Sequence, residues 1–254
     1  MRYLLGWILI SLGFIACSPN NVREDAELAS LLTTEKLEGS IGIFHNLSGD
    51  FVLSDKKWFR DSAVNPGSSF YIIQSLIAIE TGRLKDDSTV VGGTSLYQAF
   101  RGDSLAFFQN LAQAIGRDTL QKWLDTLGYA RRYDTPRITQ PDRFWLDNSM
   151  KITADEQLGI VKRLYFDQLP FQRRTHALVS ELLLMEDSAD HKIAYKLSET
   201  RNTDGTRVLW LQGWKEIRQH PHFFVIQLSS RDEEADLKAA AKRILDKVLA
   251  GFLP

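Results

Sequence analysis

The apolar positions of this 254-residue chain change rhythm along its length. Gly39-Ser40-Ile41-Gly42-Ile43-Phe44 and Phe51-Val52-Leu53 are short runs of strand type, and Asn46-Leu47-Ser48-Gly49-Asp50 between them has turn chemistry, so this region predicts a hairpin. After Pro66 the spacing becomes helical: Ile72, Ile73, Leu76, Ile77 and Ile79 share a face until Gly82 stops the run. Ser104 to Gly116 and Thr119 to Leu127 predict two more helices around a turn. Thr153, with Glu156 three residues on, has the pattern of a capping box that opens a helix carrying Leu158, Val161, Leu164 and Tyr165. His176 to Glu186 predicts another helix.

In the last third, Val208 to Trp214 and His222 to Leu228 read as strands with a turn at His220-Pro221. An amphipathic helix with Leu237, Ala240, Ile244, Leu245, Val248 and Leu249 follows. Strands, then helices, then strands, then a helix describe an α/β (α+β) fold. Its antiparallel sheet is formed by the two ends of the chain and flanked by helices, with an all-helical lobe inserted.

The N-terminus stands apart. Arg2 precedes the apolar run Leu4 to Ala16, which is short for a bilayer span and has the pattern of a signal h-region. The run ends Phe14-Ile15-Ala16-Cys17, followed by polar Ser18-Pro19-Asn20-Asn21. Cys17 is the single cysteine and has no intrachain disulfide partner, so the segment predicts a lipoprotein signal over 1–16 with Cys17 lipidated. Residues 17–37, polar and charged, are expected to be a tether with one helical turn, and 38–254 the folded domain. Such a chain would face the periplasm from a membrane, and Ser18 points to the outer one in a Gram-negative host. A net charge of -1 gives no footing for a nucleic-acid partner. The five histidines show no ligand spacing, so neither a metal nor a cofactor is expected.

The candidate chemistry lies in Asn65-Pro66-Gly67-Ser68-Ser69-Phe70-Tyr71-Ile72, followed by Leu76-Ile77-Ala78-Ile79-Glu80-Thr81-Gly82. This segment resembles the active-site segment of class D β-lactamases and related penicillin-sensing domains, the serine penicillin-recognising fold. The resemblance implies Ser68 as the nucleophile. It also places Tyr71 where the family has a lysine, whose carbamate is the base for acylation and deacylation. A serine hydroxyl needs such a base, and a phenol, neutral near pH 7, is a poor one. A serine opening a helix is in most proteins a cap, and an aromatic at Tyr71 reads most simply as core.

Other segments extend the resemblance. Ser104, before the helix ending Ile115-Gly116, fits the serine that relays a proton to the leaving nitrogen. Tyr129-Ala130-Arg131 keeps only the tyrosine of Tyr-Gly-Asn. Phe144-Trp145-Leu146 is similar to a family segment whose tryptophan hydrogen-bonds the carbamate, which implies Trp145 beside Tyr71. Lys196-Leu197-Ser198 stands for Lys-Thr-Gly: Lys196 remains, Leu197 replaces threonine, and the side chain of Ser198 narrows the cleft. Trp210 to Trp214 resembles Trp-Trp-Val-Gly-Trp. The arginine for the β-lactam carboxylate is absent in clear form, with Arg231 or Lys238 as stand-ins.

Three readings follow. The first is a β-lactamase-like lipoprotein that has lost efficient hydrolysis and binds a β-lactam, a peptidoglycan peptide or a protein partner. The second is a serine hydrolase with Ser68 as nucleophile and Lys196 and Ser104 as base and relay. The third is a structural lipoprotein whose cleft is closed by Tyr71 and Leu197.

Overall fold

The computed structural model describes residues 21–132 and 137–252. In chain order, β1 (Asn21–Glu24), α1 (Ala26–Glu35), β2 (Glu38–His45) and β3 (Asp50–Leu53) come first. Next are α2 (Lys56–Asp61), β4 (Ala63–Val64), a 3₁₀ turn (Gly67–Phe70) and α3 (Tyr71–Glu80). Then come β5 (Val90–Val91), β6 (Thr94–Ser95), α4 (Leu96–Arg101), α5 (Leu105–Ile115) and α6 (Arg117–Leu127). β7 (Ile152–Thr153), α7 (Ala154–Tyr165), α8 (Arg173–Leu183) and β8 (Leu184–Asp187) lead into β9 (His191–Arg201), β10 (Arg207–Ile217), β11 (His220–Ser230) and α9 (Leu237–Ala250).

The seven-stranded main sheet runs β1-β3-β2-β11-β10-β9-β8, so the first and last parts of the chain meet where β2 pairs with β11. Its pairings are antiparallel apart from β1 beside β3, which is parallel. Strand alternation divides the apolar residues between two cores. Trp210, Phe223 and Val225 face the helical lobe with α3, α5, α7 and α8. Leu209, Leu211, Phe224 and Ile226 face α1 and α9. The capping box at Thr153 forms, with Glu156 N bound to Thr153 Oγ1 and Thr153 N bound to Glu156 Oε2.

Three expectations need correction. Residues 21–35, read as part of a tether, form a strand and a ten-residue helix. Asp25 caps that helix, and Leu28, Leu31 and Leu32 lie against the sheet, an apolar stripe that the charged neighbours obscured. The turn between β10 and β11 is at Arg218 and Gln219, both with positive φ (49° and 68°), not at His220-Pro221. A two-residue loop of this hand suits the strand twist, and Pro221 sits at the tolerant start of β11. The helix expected over 176–186 runs Arg173–Leu183, and its last residues instead begin the edge strand β8. The apolar run before Cys17, and Cys17 itself, lie outside the described residues. Among the described residues no helix is long and apolar enough to cross a membrane.

Candidate active site

Ser68 lies in the 3₁₀ turn that runs directly into α3. The turn is fixed from several sides. Gly67 N donates to Asn65 Oδ1 (2.8 Å) and to the Trp145 carbonyl (3.1 Å), and Trp210 Nε1 donates to the Asn65 carbonyl (2.9 Å). Behind it, Gln212 Nε2 donates to Gln157 Oε1, Gln157 Nε2 to Ser69 Oγ, and Ser69 Oγ to the Pro66 carbonyl. This buried polar chain holds the serine segment against the sheet.

Strand β9 presses on the same turn. Ser198 is fully buried, its Oγ 3.5 Å from the Pro66 carbonyl oxygen. Gly67 has φ +52°, and a Cβ there would come within 2.6 Å of Thr200 Cβ. Ser68 is consequently only 5% exposed. Alternation along β9 brings Lys196 and Ser198 to this side of the sheet, while Tyr195 and Leu197 pack with the other core, on the α9 side. Leu197 therefore does not close the Ser68 cleft, because a strand directs neighbouring side chains to opposite faces.

The residue that joins Ser68 to Lys196 is one the sequence reading passed over. Ser68 Oγ donates to Asp103 Oδ2 at 2.8 Å, and Lys196 Nζ donates to Asp103 Oδ1 at 2.6 Å and to the Phe100 carbonyl at 3.0 Å. Asp103 adopts φ +55° in the short link between α4 and α5, a left-handed conformation that aspartate tolerates better than most residues. Ser104, the expected relay, is the N-cap residue of α5, and its hydroxyl binds neither Ser68 nor Lys196. The position facing Ser68 is one residue earlier. The signal available in the sequence was Gly102-Asp103, a turn pair that places an acid just before a helix. Lys196 is buried, and this desolvation draws its amine below the usual lysine value, while Asp103 acts in the opposite direction.

Tyr71 follows Ser68 by three residues but is turned into the core. Its ring lies on Phe108, with centroids 3.6 Å apart and planes 9° apart. Burial first, and the Asp103 charge second, raise its phenol above the usual tyrosine value, which keeps it neutral and unsuited as a base. Trp145 does not pair with Tyr71 as expected. It stacks on Phe70 (5.5 Å, 25°) and meets Phe144 edge-on. The Trp145 indole Nε1 is buried with no acceptor among the described residues. Tyr129 is also buried, edge-on to Phe70, with its hydroxyl directed at Ser69 and Gln157. It is a wall of the core behind the site, not part of an open surface.

A model of the "Penicillin binding protein transpeptidase domain" matches residues 43–169. The chain belongs to this family, in its class D β-lactamase and penicillin-sensor branch. Among curated relatives, "Beta-lactamase OXA-20" from Pseudomonas aeruginosa is 28% identical over 202 residues, 73% of this chain and 73% of that protein. The crystal structure of a class D β-lactamase from Sebaldella termitidis superposes with a TM-score of 0.83 at 20% identity, over 93% of this chain and all of that one. The C-terminal domain of the Bacillus licheniformis BlaR penicillin-receptor gives 0.80 at 23% identity, over 92% and 98%. At these identities the two structures speak for the fold alone.

A cavity of about 290 Å³ opens on the outer side of the Asp103–Lys196 pair. Arg101, Lys196 and Lys238 give it positive charge, and Phe100, Leu182 and Met185 give it apolar walls. Ser68 and Tyr71 are not part of its lining. Arg231 instead faces Asp204 in the link between β9 and β10.

Proposed function

We propose that this domain is a binding protein built on the penicillin-recognising fold, and that it does not hydrolyse β-lactams. One observation carries the reading: the hydroxyl of Ser68 donates to a carboxylate whose other oxygen is held by Lys196. A carboxylate paired with an ammonium is a weak acceptor for a serine proton. With the Tyr71 phenol neutral and stacked on Phe108, no free base lies beside Ser68 among the described residues.

The ligand that best suits the positive cavity beside Lys196 carries a carboxylate, as β-lactams and peptidoglycan peptides do. A receptor role agrees with the likeness, 26% identical over 224 residues, to the regulatory protein BlaR1 from Bacillus licheniformis. Lipidation at Cys17 would hold the domain on the periplasmic face of a membrane; [2-³H]palmitate labelling that persists in Cys17→Ala would overturn that part.

The deciding experiment is intact-mass spectrometry after incubation with a fluorescent penicillin, alongside a nitrocefin turnover assay. The expected result is an unmodified mass and no turnover. A covalent adduct abolished by Ser68→Ala would replace this reading with that of a penicillin acylator.

A further inference from the structure

Lys196 has an unusual setting for a strand lysine. Its side chain is only 6% exposed, whereas the Asp103 carboxylate that pairs with it is 40% exposed. The Nζ lies 4.9 Å from the Phe100 ring centroid and 5.6 Å from that of Tyr71. The other charges acting on it, Arg101 and Lys238, are both positive. Among the charged groups acting on this amine, Asp103 is therefore the one that favours its charged form, with the Phe100 carbonyl as a further, neutral acceptor. The same carboxylate takes the hydroxyl hydrogen of Ser68.

We propose that Asp103 is a lock on a latent Ser68–Lys196 pair: it holds Lys196 as a cation and occupies the hydroxyl of Ser68, and its removal leaves Lys196 as the base for Ser68. This rests on the reading above, that the wild-type chain is not acylated. The physical reason is desolvation. A buried ammonium deprived of its counter-ion, with Arg101 and Lys238 nearby, gives up its proton more readily than an exposed one. The neutral amine can then accept one.

The step balances with a β-lactam as co-reactant. The Ser68 Oγ–H proton passes to Lys196 Nζ as Oγ bonds to the lactam carbonyl carbon. The lactam C–N bond breaks, and the ring nitrogen takes the proton from Lys196. The amine is thus restored and an acyl-serine remains. The product of this step is an acyl-serine adduct, which intact mass reads directly.

The test compares wild type, Asp103→Asn and Asp103→Ala, each alone and combined with Ser68→Ala or Lys196→Met. Adduct formation with a fluorescent penicillin is followed by intact mass, and thermal melts check folding. The expected result is adduct formation in both Asp103 variants about a hundredfold faster than any wild-type signal, in the range a positioned general base supplies. The rate should rise with pH as Lys196 loses its proton, and either second substitution should abolish the adduct. Folded Asp103 variants that form no adduct overturn the proposal, as does an adduct that survives Lys196→Met. Loss of the fold in both variants also overturns it, since Asp103 is then a structural strut. A wild-type adduct would instead overturn the proposed function, so the two failures are distinct.

Discussion

Tyr71 lies flat on Phe108, ring centroids 3.6 Å apart, in the core three residues after Ser68. The stack fills this part of the core with apolar surface. The phenol hydroxyl adds little to this packing, so Tyr71→Phe is expected to change stability by less than about 1 kcal/mol. Tyr71→Ala opens a cavity and should cost about 3–5 kcal/mol, as large aromatic truncations in cores do. Urea titration of the three proteins checks both values, and an alanine variant as stable as wild type would refute the packing role.

Alkaline pH should weaken the fold. Burial holds the phenols of Tyr71, Tyr129 and Tyr165 above the usual tyrosine value, with Asp103, Glu156 and Glu216 respectively adding to the effect. The native state then keeps protons that the unfolded state releases. Their contribution is present below a pH of about 10 and is lost as pH rises beyond it. Melting temperature measured from pH 9 upward should fall, and Tyr129→Phe should make the fall shallower.

The acid side has a different sensor. Nδ1 of His45 and Nδ1 of His222 are 2.7 Å apart, close enough that one must donate and the other accept. Burial first, then His45, Lys215 and His220, push His222 down to about 4 from 6.5, and burial lowers His45 against the pull of Asp50. The unfolded chain therefore binds more protons in that window. Stability is present above 6.5 and is lost as pH falls towards 4. His222→Gln should flatten the melting profile between these limits, and an unchanged profile would exclude the pair as the cause.

Gly67 and Thr200 set the closeness of the 3₁₀ turn to β9. A Cβ at Gly67 would meet Thr200 Cβ at 2.6 Å with φ at +52°. Gly67→Ala is expected to destabilise by about 1–3 kcal/mol, from backbone strain and overpacking together. Thr200→Ala in the same chain removes Cγ2 and Oγ1 but keeps the Cβ, so it should recover only part of the overpacking share. Denaturant midpoints of the single and double variants separate the two.

Much of the fold was legible in the sequence because long periodic segments carry their own signal. The helix after Pro66, the capping box at Thr153 and the strands β10 and β11 follow from apolar spacing and cap chemistry. Helix α1 was less legible, since its stripe of Leu28, Leu31 and Leu32 is short and lies among charges. The site was legible in kind but not in register. Ser68 and Lys196 stood out as residues of a recognisable pattern, whereas Asp103 did not, because its role depends on a left-handed backbone turn and on contacts 35 and 93 residues away in sequence.

The sequence by itself pointed to the family, to the helix after Pro66 and to the strands β10 and β11, and it puts a tyrosine, Tyr71, three residues after Ser68. Those are matters of residue identity and local period, which a chain carries without folding. Only the tertiary structure decided that Tyr71 turns onto Phe108, that Leu197 faces away from Ser68, and that Asp103 rather than Ser104 bridges Ser68 to Lys196. Side-chain direction and charge pairing across the sheet arise from long-range packing, and one residue of register is enough to exchange a serine for a carboxylate at the centre of the site.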